Sequence, residues 1–313
     1  MGPGRGRAAR APESVGVKRH LTFFSTASRY ELVVHASNRF AMFLVAAYVP
    51  IWSAVVHLVI PSAPVHFRLR ATGRILTPAG NELTQITGAI NAVTLITGFM
   101  MFAATFASGR FDRRLALAGY PRTHLVLAKT SALAVASVVI AAYATAIAYL
   151  FWTPQQPLLL AAALFCAAMT YGALGVVFGA LLHREVEGMF ALVMTSVLDI
   201  ALQNPIVSAG ANSQAIAYLP SYGAVQAATA AGFTGTPLLS CLTLQLAWFT
   251  GAALLGLLAF HRRTRNTLCG TPGAAAFVGS RAVPEATAEL GRTPAACPPP
   301  SMPIDDPLVE EET

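Results

Sequence analysis

The sequence predicts an all-α membrane protein with six transmembrane helices. Hydrophobic residues make up 55% of the 313-residue chain and charged residues only 11%, whereas soluble domains usually carry about 25% charged residues. Six apolar runs reach the roughly 20 residues that a helix needs to cross a bilayer. The predicted spans cover residues 40–60, 83–108, 128–152, 158–182, 188–209 and 237–260.

The distribution of Lys and Arg residues predicts the orientation of these spans. Sixteen lie at one end of the spans, counted without the distal tail, and three (Arg68, Arg70 and Arg74) lie at the other. Because cytoplasmic connections are enriched in Lys and Arg, both termini are expected in the cytoplasm. The chain is rich in Ala and Arg and has only two lysines, Lys18 and Lys129, which favours a bacterial plasma membrane.

Three regions of the chain differ in composition. Residues 1–39 are predicted to be a cytoplasmic N-terminus. Residues 24–39 are weakly amphipathic, which fits a helix along the membrane interface or a simple approach of the chain to the membrane. Residues 40–265 form the predicted six-span transmembrane domain. Residues 266–313 are rich in Pro, Ala, Gly and Thr and end in acidic residues, which is typical of a disordered cytoplasmic tail.

The sequence has no G-x-x-x-x-G-K-[ST] phosphate loop, no H-E-x-x-H motif and no G-x-S-x-G motif. ATP binding by a phosphate loop and the usual metalloprotease and hydrolase sites are therefore excluded for this chain. We expect no catalytic residue, metal site or cofactor on it. The net charge of +7 comes mostly from arginines near the ends of apolar runs, which fits topology and anionic headgroups better than nucleic acid.

A basic stretch, residues 110–122, joins the second and third predicted spans. A short helix lying along the membrane surface would place Phe111 and Leu115 on one side, and Gly119-Tyr120-Pro121 would end it. Two interpretations stay open: the arginines only fix topology, or the stretch docks a soluble partner. The candidate docking residues are Arg110, Phe111, Asp112, Arg113, Arg114, Leu115, Tyr120 and Arg122.

Asp199 is the one acidic residue well inside a predicted span. A carboxylate at that depth is expected to face a bundle interior or a wet cavity. With Gln203 and Asn204, it forms either the polar wall of a translocation path or a hydrogen-bonded contact between helices. In the fourth span, Gly175 and Gly179 have the spacing that lets two helices approach closely, either within the chain or between two copies.

The connections at the less basic end have unusual compositions. Residues 65–70 alternate apolar and basic side chains, which predicts a short strand and a hairpin that turns near residues 71–73. Residues 210–236 contain no charged residue. We expect this second stretch to lie in the interface or to dip into the membrane, against protein or water.

The order of these features resembles the permease subunit of ABC transporters of the ABC-2 type, over roughly residues 24–265. Residues 109–129, with Arg113-Arg114-Leu115 and Gly119-Tyr120-Pro121-Arg122, are similar to the coupling region of that family. Residues 204–210 and 218–226 are similar to the end of the fifth span and to the exporter helices. The longer first outer connection and the acidic tail depart from the family pattern.

The resemblance implies a cytoplasmic coupling helix and short re-entrant exporter helices before the last span, the latter including Tyr218, Pro220, Tyr222 and Gln226. It implies efflux of a lipophilic small molecule, such as a drug, an antibiotic or a lipid-like compound, by two copies of the permease. ATP and Mg²⁺ would bind to a separate ABC ATPase subunit, and Asp199 would lie near the translocation path. The alternative is an ATP-independent secondary carrier or channel that uses Asp199.

Overall fold

The computed structural model describes residues 13–117, 120, 122–182, 184–206, 208 and 213–265. Within these ranges the helices are α1 (Glu13–Ser37), α2 (Arg39–Val59), α3 (Gly80–Leu117), α4 (Arg122–Phe151), α5 (Pro157–Leu181), α6 (Glu185–Gln203), α7 (Tyr222–Phe233) and α8 (Leu239–Arg265). Strands β1 (Phe67–Leu69) and β2 (Arg74–Leu76) form a hairpin, and a 3₁₀ helix covers Gln214–Tyr218. The predicted tail lies outside the described residues.

Five of these helices are long and apolar enough to cross a membrane. They are α2, α3, α4, α5 and α8, with apolar segments Ala41–Val59, Gly80–Gly109, Thr123–Phe151, Pro157–Leu181 and Leu239–Ala259. The chain is therefore mostly helical and compatible with a multi-pass membrane protein. Each of these helices coincides with an apolar run that the sequence predicts to be long enough to cross a bilayer.

The predicted fifth span corresponds to α6, which is not among those five helices. This helix ends at Gln203 rather than at residue 209, and Asn204 adopts an extended backbone. The physical reason is Pro205, because the residue before a proline is disfavoured in helical conformation. The membrane-crossing role of α6 stays a prediction.

Residues 110–117 do not form a separate surface helix as the sequence suggested. They are the last two turns of α3, which runs without a break from Gly80 to Leu117. These turns contain no Gly or Pro, and Arg, Leu and Ala favour helix, so nothing interrupts the hydrogen-bond pattern. At 1.5 Å per residue, α3 is about 57 Å long, nearly twice the hydrocarbon thickness of a bilayer.

The core of the bundle is centred on α5, which packs against α3, α4, α6, α7 and α8. Gly175 and Gly179 let α5 approach the backbone of α3. A Cβ atom at Gly175 would lie 2.3 Å from the carbonyl oxygen of Gly98, and one at Gly179 would lie 3.0 Å from that of Phe102. Of the two interpretations of these glycines, the structure favours close packing within the chain.

The predicted hairpin is confirmed. Strands β1 and β2 pair antiparallel, with Phe67 opposite Leu76 and Leu69 opposite Arg74. Gly73 in the turn has φ of 68°, a conformation that glycine adopts at no steric cost. Leu69 is buried while Arg68 is exposed, so the strand turns its apolar side toward the bundle.

The helix α7, which lies in the uncharged segment before α8, is buried in the bundle. Ten of the 12 residues of α7 are buried, against α3, α5 and α8. The C-terminal end of α7 is tied to the α4–α5 connection, where the amides of Gln155 and Gln156 donate to the carbonyls of Gly232 and Ala231. Charged side chains would have no partners in these surroundings, which explains their absence from the sequence.

Candidate functional site

Two groups of polar residues hold this bundle together, one near each end. We call the end formed by α1, the α3–α4 connection and the α5–α6 connection the basic end. The opposite end carries the β1–β2 hairpin, and we call it the hairpin end.

At the basic end, Lys129 of α4 forms a buried ion cluster with two carboxylates. Its Nζ lies 2.9 Å from Glu31 Oε1 and 3.1 Å from Asp112 Oδ2. It also donates to Ser108 Oγ at 2.9 Å, and Ser108 in turn donates to Asp112. The cluster joins α1, α3 and α4, and its charges are paired and hydrogen-bonded, as buried charges must be.

His35 of α1 is buried beside this cluster, and its Nε2 has no hydrogen-bond partner among the described residues. Burial, and then the charge of Lys129, lower the pKa of His35 to about 4. The imidazole is therefore neutral at physiological pH, because desolvation and a neighbouring cation both disfavour the imidazolium form.

Aromatic contacts fasten α1 to the α3–α4 connection. The rings of Tyr30 and Phe111 lie 5.7 Å apart, and those of Phe23 and Tyr120 lie 5.3 Å apart in an edge-on arrangement. The hydroxyl of Tyr120 donates to the carbonyl of Phe23 at 2.7 Å. Two of the predicted docking residues, Phe111 and Tyr120, therefore pack against α1.

The remaining docking residues differ in exposure, and the side chains of three of them lie outside the described residues. Asp112 is buried in the ion cluster, Leu115 is half-buried and Arg114 is exposed. The side chains of Arg110, Arg113 and Arg122 lie outside the described residues. Among the described docking residues, Arg114 is therefore the exposed cation.

Asp199 lies in a polar cluster between α5, α6 and the start of α7. Its Oδ2 accepts hydrogen bonds from the Tyr171 hydroxyl and, at 2.9 Å, from the backbone amide of Ser221. Its Oδ1 accepts from Gln203 Nε2 at 2.7 Å, and the same nitrogen donates to Ser221 Oγ at 2.8 Å. With 2% of its surface exposed, Asp199 is hydrogen-bonded between helices rather than open to a path in this conformation.

Gln245 of α8 holds the start of α7 from the other side. Its Nε2 donates to the Pro220 carbonyl and to Thr170 Oγ1, both at 2.8 Å. Its Oε1 accepts from the amide of Ala224 at 3.0 Å. The chain before α7 is therefore fixed by two buried side chains, Asp199 and Gln245.

The other predicted residues of this region lie nearer the hairpin end. Asn204 donates to Thr87 at 3.2 Å and accepts from the amide of Ile206 at 2.9 Å. Tyr218 is 80% exposed and Tyr222 is buried. Gln226 accepts a hydrogen bond from the amide of Ala71, in the hairpin turn, at 3.3 Å.

Sequence reasoning missed several members of both clusters. The sequence did hold an indication for Lys129 and Gln245. Each is a single long polar side chain near or within an apolar run, and such a side chain needs a buried partner. No local pattern indicated Glu31, Tyr171 or Ser221 as those partners.

No group of three or more His, Cys, Asp or Glu side chains in the described part of the chain could hold a metal ion. No protein-family model matches the chain, and no curated protein sequence does either.

Proposed function

We propose that this chain is the membrane permease subunit of an ATP-driven exporter of the ABC-2 type in a bacterial plasma membrane. It moves a lipophilic small molecule, such as a drug, an antibiotic or a lipid-like compound, out of the cell. Two copies of the permease work with a separate ABC ATPase subunit, which binds ATP and Mg²⁺. The basic end and both termini face the cytoplasm.

The observation that carries this proposal is the fixed extension of α3 beyond its apolar part. The apolar segment of α3 ends at Gly109, and the last two turns carry charged residues. These turns are tied to α1 and α4 by the Lys129 ion cluster and the Tyr30–Phe111 contact. A movement imposed on them by an ATPase would shift three helices together instead of being absorbed by a loose loop.

The length of α6 supports a sixth span. Its 19 residues correspond to about 28 Å, close to the hydrocarbon thickness of a bilayer. In that arrangement, Asp199 lies within the membrane and holds the start of α7. The 3₁₀ helix and α7 then form the short re-entrant exporter helices.

An ATP-independent carrier or channel that uses Asp199 is the competing proposal. Such a mechanism needs a carboxylate that reaches water or cargo during transport. Asp199 is 2% exposed and accepts hydrogen bonds from three donors. The buried state of this carboxylate favours a positioning role and therefore the ATP-driven mechanism.

The proposal is tested by purifying the tagged chain from its native membrane and identifying co-purified proteins by mass spectrometry. The key variant is Arg114→Glu, which reverses an exposed charge on α3. The matched control is Arg262→Glu, an equal charge reversal at an exposed position of α8 at the same end. Wild type and Arg262→Glu are expected to bring down a phosphate-loop ATPase in stoichiometric amount, and Arg114→Glu much less.

Two results would count against the proposal. If no ATPase co-purifies with an intact, folded chain, the ATP-independent carrier becomes the better explanation. If Arg114→Glu retains the ATPase as well as wild type does, the end of α3 is not its docking element.

A further inference from the structure

A small polar cavity lies at the hairpin end, between β1, the start of α3, the end of α6 and α7. Its volume is about 20 Å³, which is room for roughly one water molecule. The polar residues that line it are Arg68, Arg70, Thr87, Gln203, Gln226 and Thr229. Neither the hairpin nor this cavity has a role in the function proposed above.

The two arginines of this cavity are not neutralised by carboxylates. Arg68 Nε donates to the carbonyl of Gly73 at 3.3 Å, and Arg70 donates to the carbonyl of Ser213. Among the described residues, neither forms an ion pair. Because a guanidinium stays charged and matches phosphate oxygens geometrically, the pair offers an anion site at the mouth of the cavity.

Gln203, which lines the same cavity, has an acceptor without a partner among the described residues. It is 7% exposed, and its Nε2 is committed to Asp199 and Ser221. Its Oε1 is buried, and no described residue donates a hydrogen bond to it. A buried acceptor of this kind costs free energy until a donor reaches it, and the cavity admits a donor no larger than a hydroxyl group.

We propose that this cavity binds a hydroxyl-bearing phosphate group. The phosphate lies against Arg68 and Arg70 at the mouth, and a hydroxyl enters the cavity and donates to Gln203 Oε1. The headgroup of phosphatidylglycerol carries both groups, and so does soluble glycerol 1-phosphate. This site does not require the ATPase partner, so it can be tested on the purified full-length chain.

The test measures thermal unfolding of the chain in detergent as phosphatidylglycerol is added, with phosphatidylcholine as the uncharged comparison lipid. A ligand that binds only the folded state stabilises it by RT ln(1 + [L]/Kd), so the melting temperature rises with ligand concentration and rises less for a weaker site. The variant is Arg68→Gln combined with Arg70→Gln. The matched control is Arg74→Gln, an exposed arginine of the same hairpin that does not line the cavity.

Phosphatidylglycerol is expected to raise the melting temperatures of wild type and the Arg74→Gln control by the same amount at each lipid concentration. The double variant should need about tenfold more lipid or beyond, since charge-assisted hydrogen bonds to the phosphate are lost. If glycerol 1-phosphate alone gives the same arginine-dependent stabilisation, the site is supported with a soluble ligand. If neither compound stabilises wild type, or if the double variant responds like the control, the proposal is overturned.

A second lipid tests the role of Gln203 without changing the protein. Phosphatidylmethanol carries the same charge as phosphatidylglycerol but has no hydroxyl group on its headgroup. It is expected to bind wild type more weakly than phosphatidylglycerol. Equal binding of the two lipids would overturn the assignment of Gln203 Oε1 as the hydroxyl acceptor.

Discussion

Lys129 on α4 and Glu31 on α1 are joined by a buried ion pair whose Nζ and Oε1 atoms lie 2.9 Å apart. The pair links residues 98 positions apart in the chain. It makes α1 part of the bundle, because the same Lys129 also binds Asp112 at the end of α3. An amphipathic helix lying independently on lipid would not need such a contact.

Replacing Lys129 by Met should destabilise the bundle strongly. The change leaves Glu31 and Asp112 close together without a cation, and loss of one partner of a buried ion pair costs about 3–5 kcal/mol. Equilibrium unfolding in detergent measures the effect. Arg184→Gln, which removes an exposed ion pair with Glu187 at 3.7 Å, should leave the free energy of unfolding nearly unchanged.

Adding Glu31→Gln and Asp112→Asn to Lys129→Met should restore part of the lost stability, since no unpaired charge then remains. A single Lys129→Met variant as stable as the Arg184→Gln control would show that the cluster makes no net contribution.

His35 should make the stability of the bundle depend on pH between about 6.5 and 4. In the folded chain the pKa of His35 is lowered to about 4, so in this window the unfolded chain binds a proton that the folded chain does not. Stability is therefore full above pH 6.5 and falls as the pH drops, by about 1.4 kcal/mol per pH unit. The charged groups that face the same cluster are Lys129, Glu31 and Asp112.

The contribution of His35 is isolated by comparing pH profiles of unfolding for His35→Gln and for His66→Gln, an exposed histidine near the hairpin. The first variant should flatten the profile between pH 6.5 and 4, and the second should not. Identical profiles for both variants would contradict the inference.

On the proposed function, Asp199→Asn should change export while leaving assembly with the proposed ATPase intact. The two carboxylate oxygens accept from Tyr171, Ser221 and Gln203. The amide of the substituted side chain has one oxygen and one nitrogen, and the nitrogen faces a hydrogen-bond donor at whichever of the two positions it occupies. The start of α7 is therefore held less firmly, at a cost of about 1–3 kcal/mol. Clearance of lipophilic dyes by cells, together with co-purification of the ATPase, measures both effects.

The matched control for this change is Tyr171→Phe, which removes one donor and keeps the carboxylate. It should alter export less than Asp199→Asn does. Unchanged dye clearance in Asp199→Asn would make Asp199 a purely structural residue.

Gly175→Ala should destabilise the contact between α3 and α5. The added Cβ would lie 2.3 Å from the Gly98 carbonyl oxygen, so the two helices must move apart, at a cost of about 1–3 kcal/mol. Gly251→Ala is the control, because nothing lies within 4 Å of its Cβ position. Alanine favours helix over glycine by roughly 0.5–1 kcal/mol, so the control should be slightly more stable than wild type. Destabilisation of equal size in both variants would contradict a specific role for Gly175.

The sequence predicted the five long apolar helices well because crossing a bilayer is a matter of length and composition. It also predicted the hairpin, since period-two alternation followed by a glycine turn is a local pattern. The conformation of residues 110–117 could not be predicted from a local pattern. Their basic composition suggested a separate helix, whereas strong local helix preference and the anchoring of Asp112 extend α3 through them.

The glycines on α5 also show a difference between what a local sequence pattern indicates and what only the fold decides. The spacing of Gly175 and Gly179 indicates a close helix contact, yet it is equally suited to a contact within the chain or between copies. Only the tertiary structure shows that α3 fills that face.

The sequence by itself determined that the chain is mostly helical and compatible with a multi-pass membrane protein, where its main apolar helices lie, and which end is basic. These properties depend on hydrophobicity and charge along the chain, which are local. The tertiary structure decided the partners of Lys129 and Asp199, because residues such as Glu31 and Ser221 reach them only when distant helices pack together. The energetics of a buried charge depend on those neighbours, and they have no signature in the residues beside it.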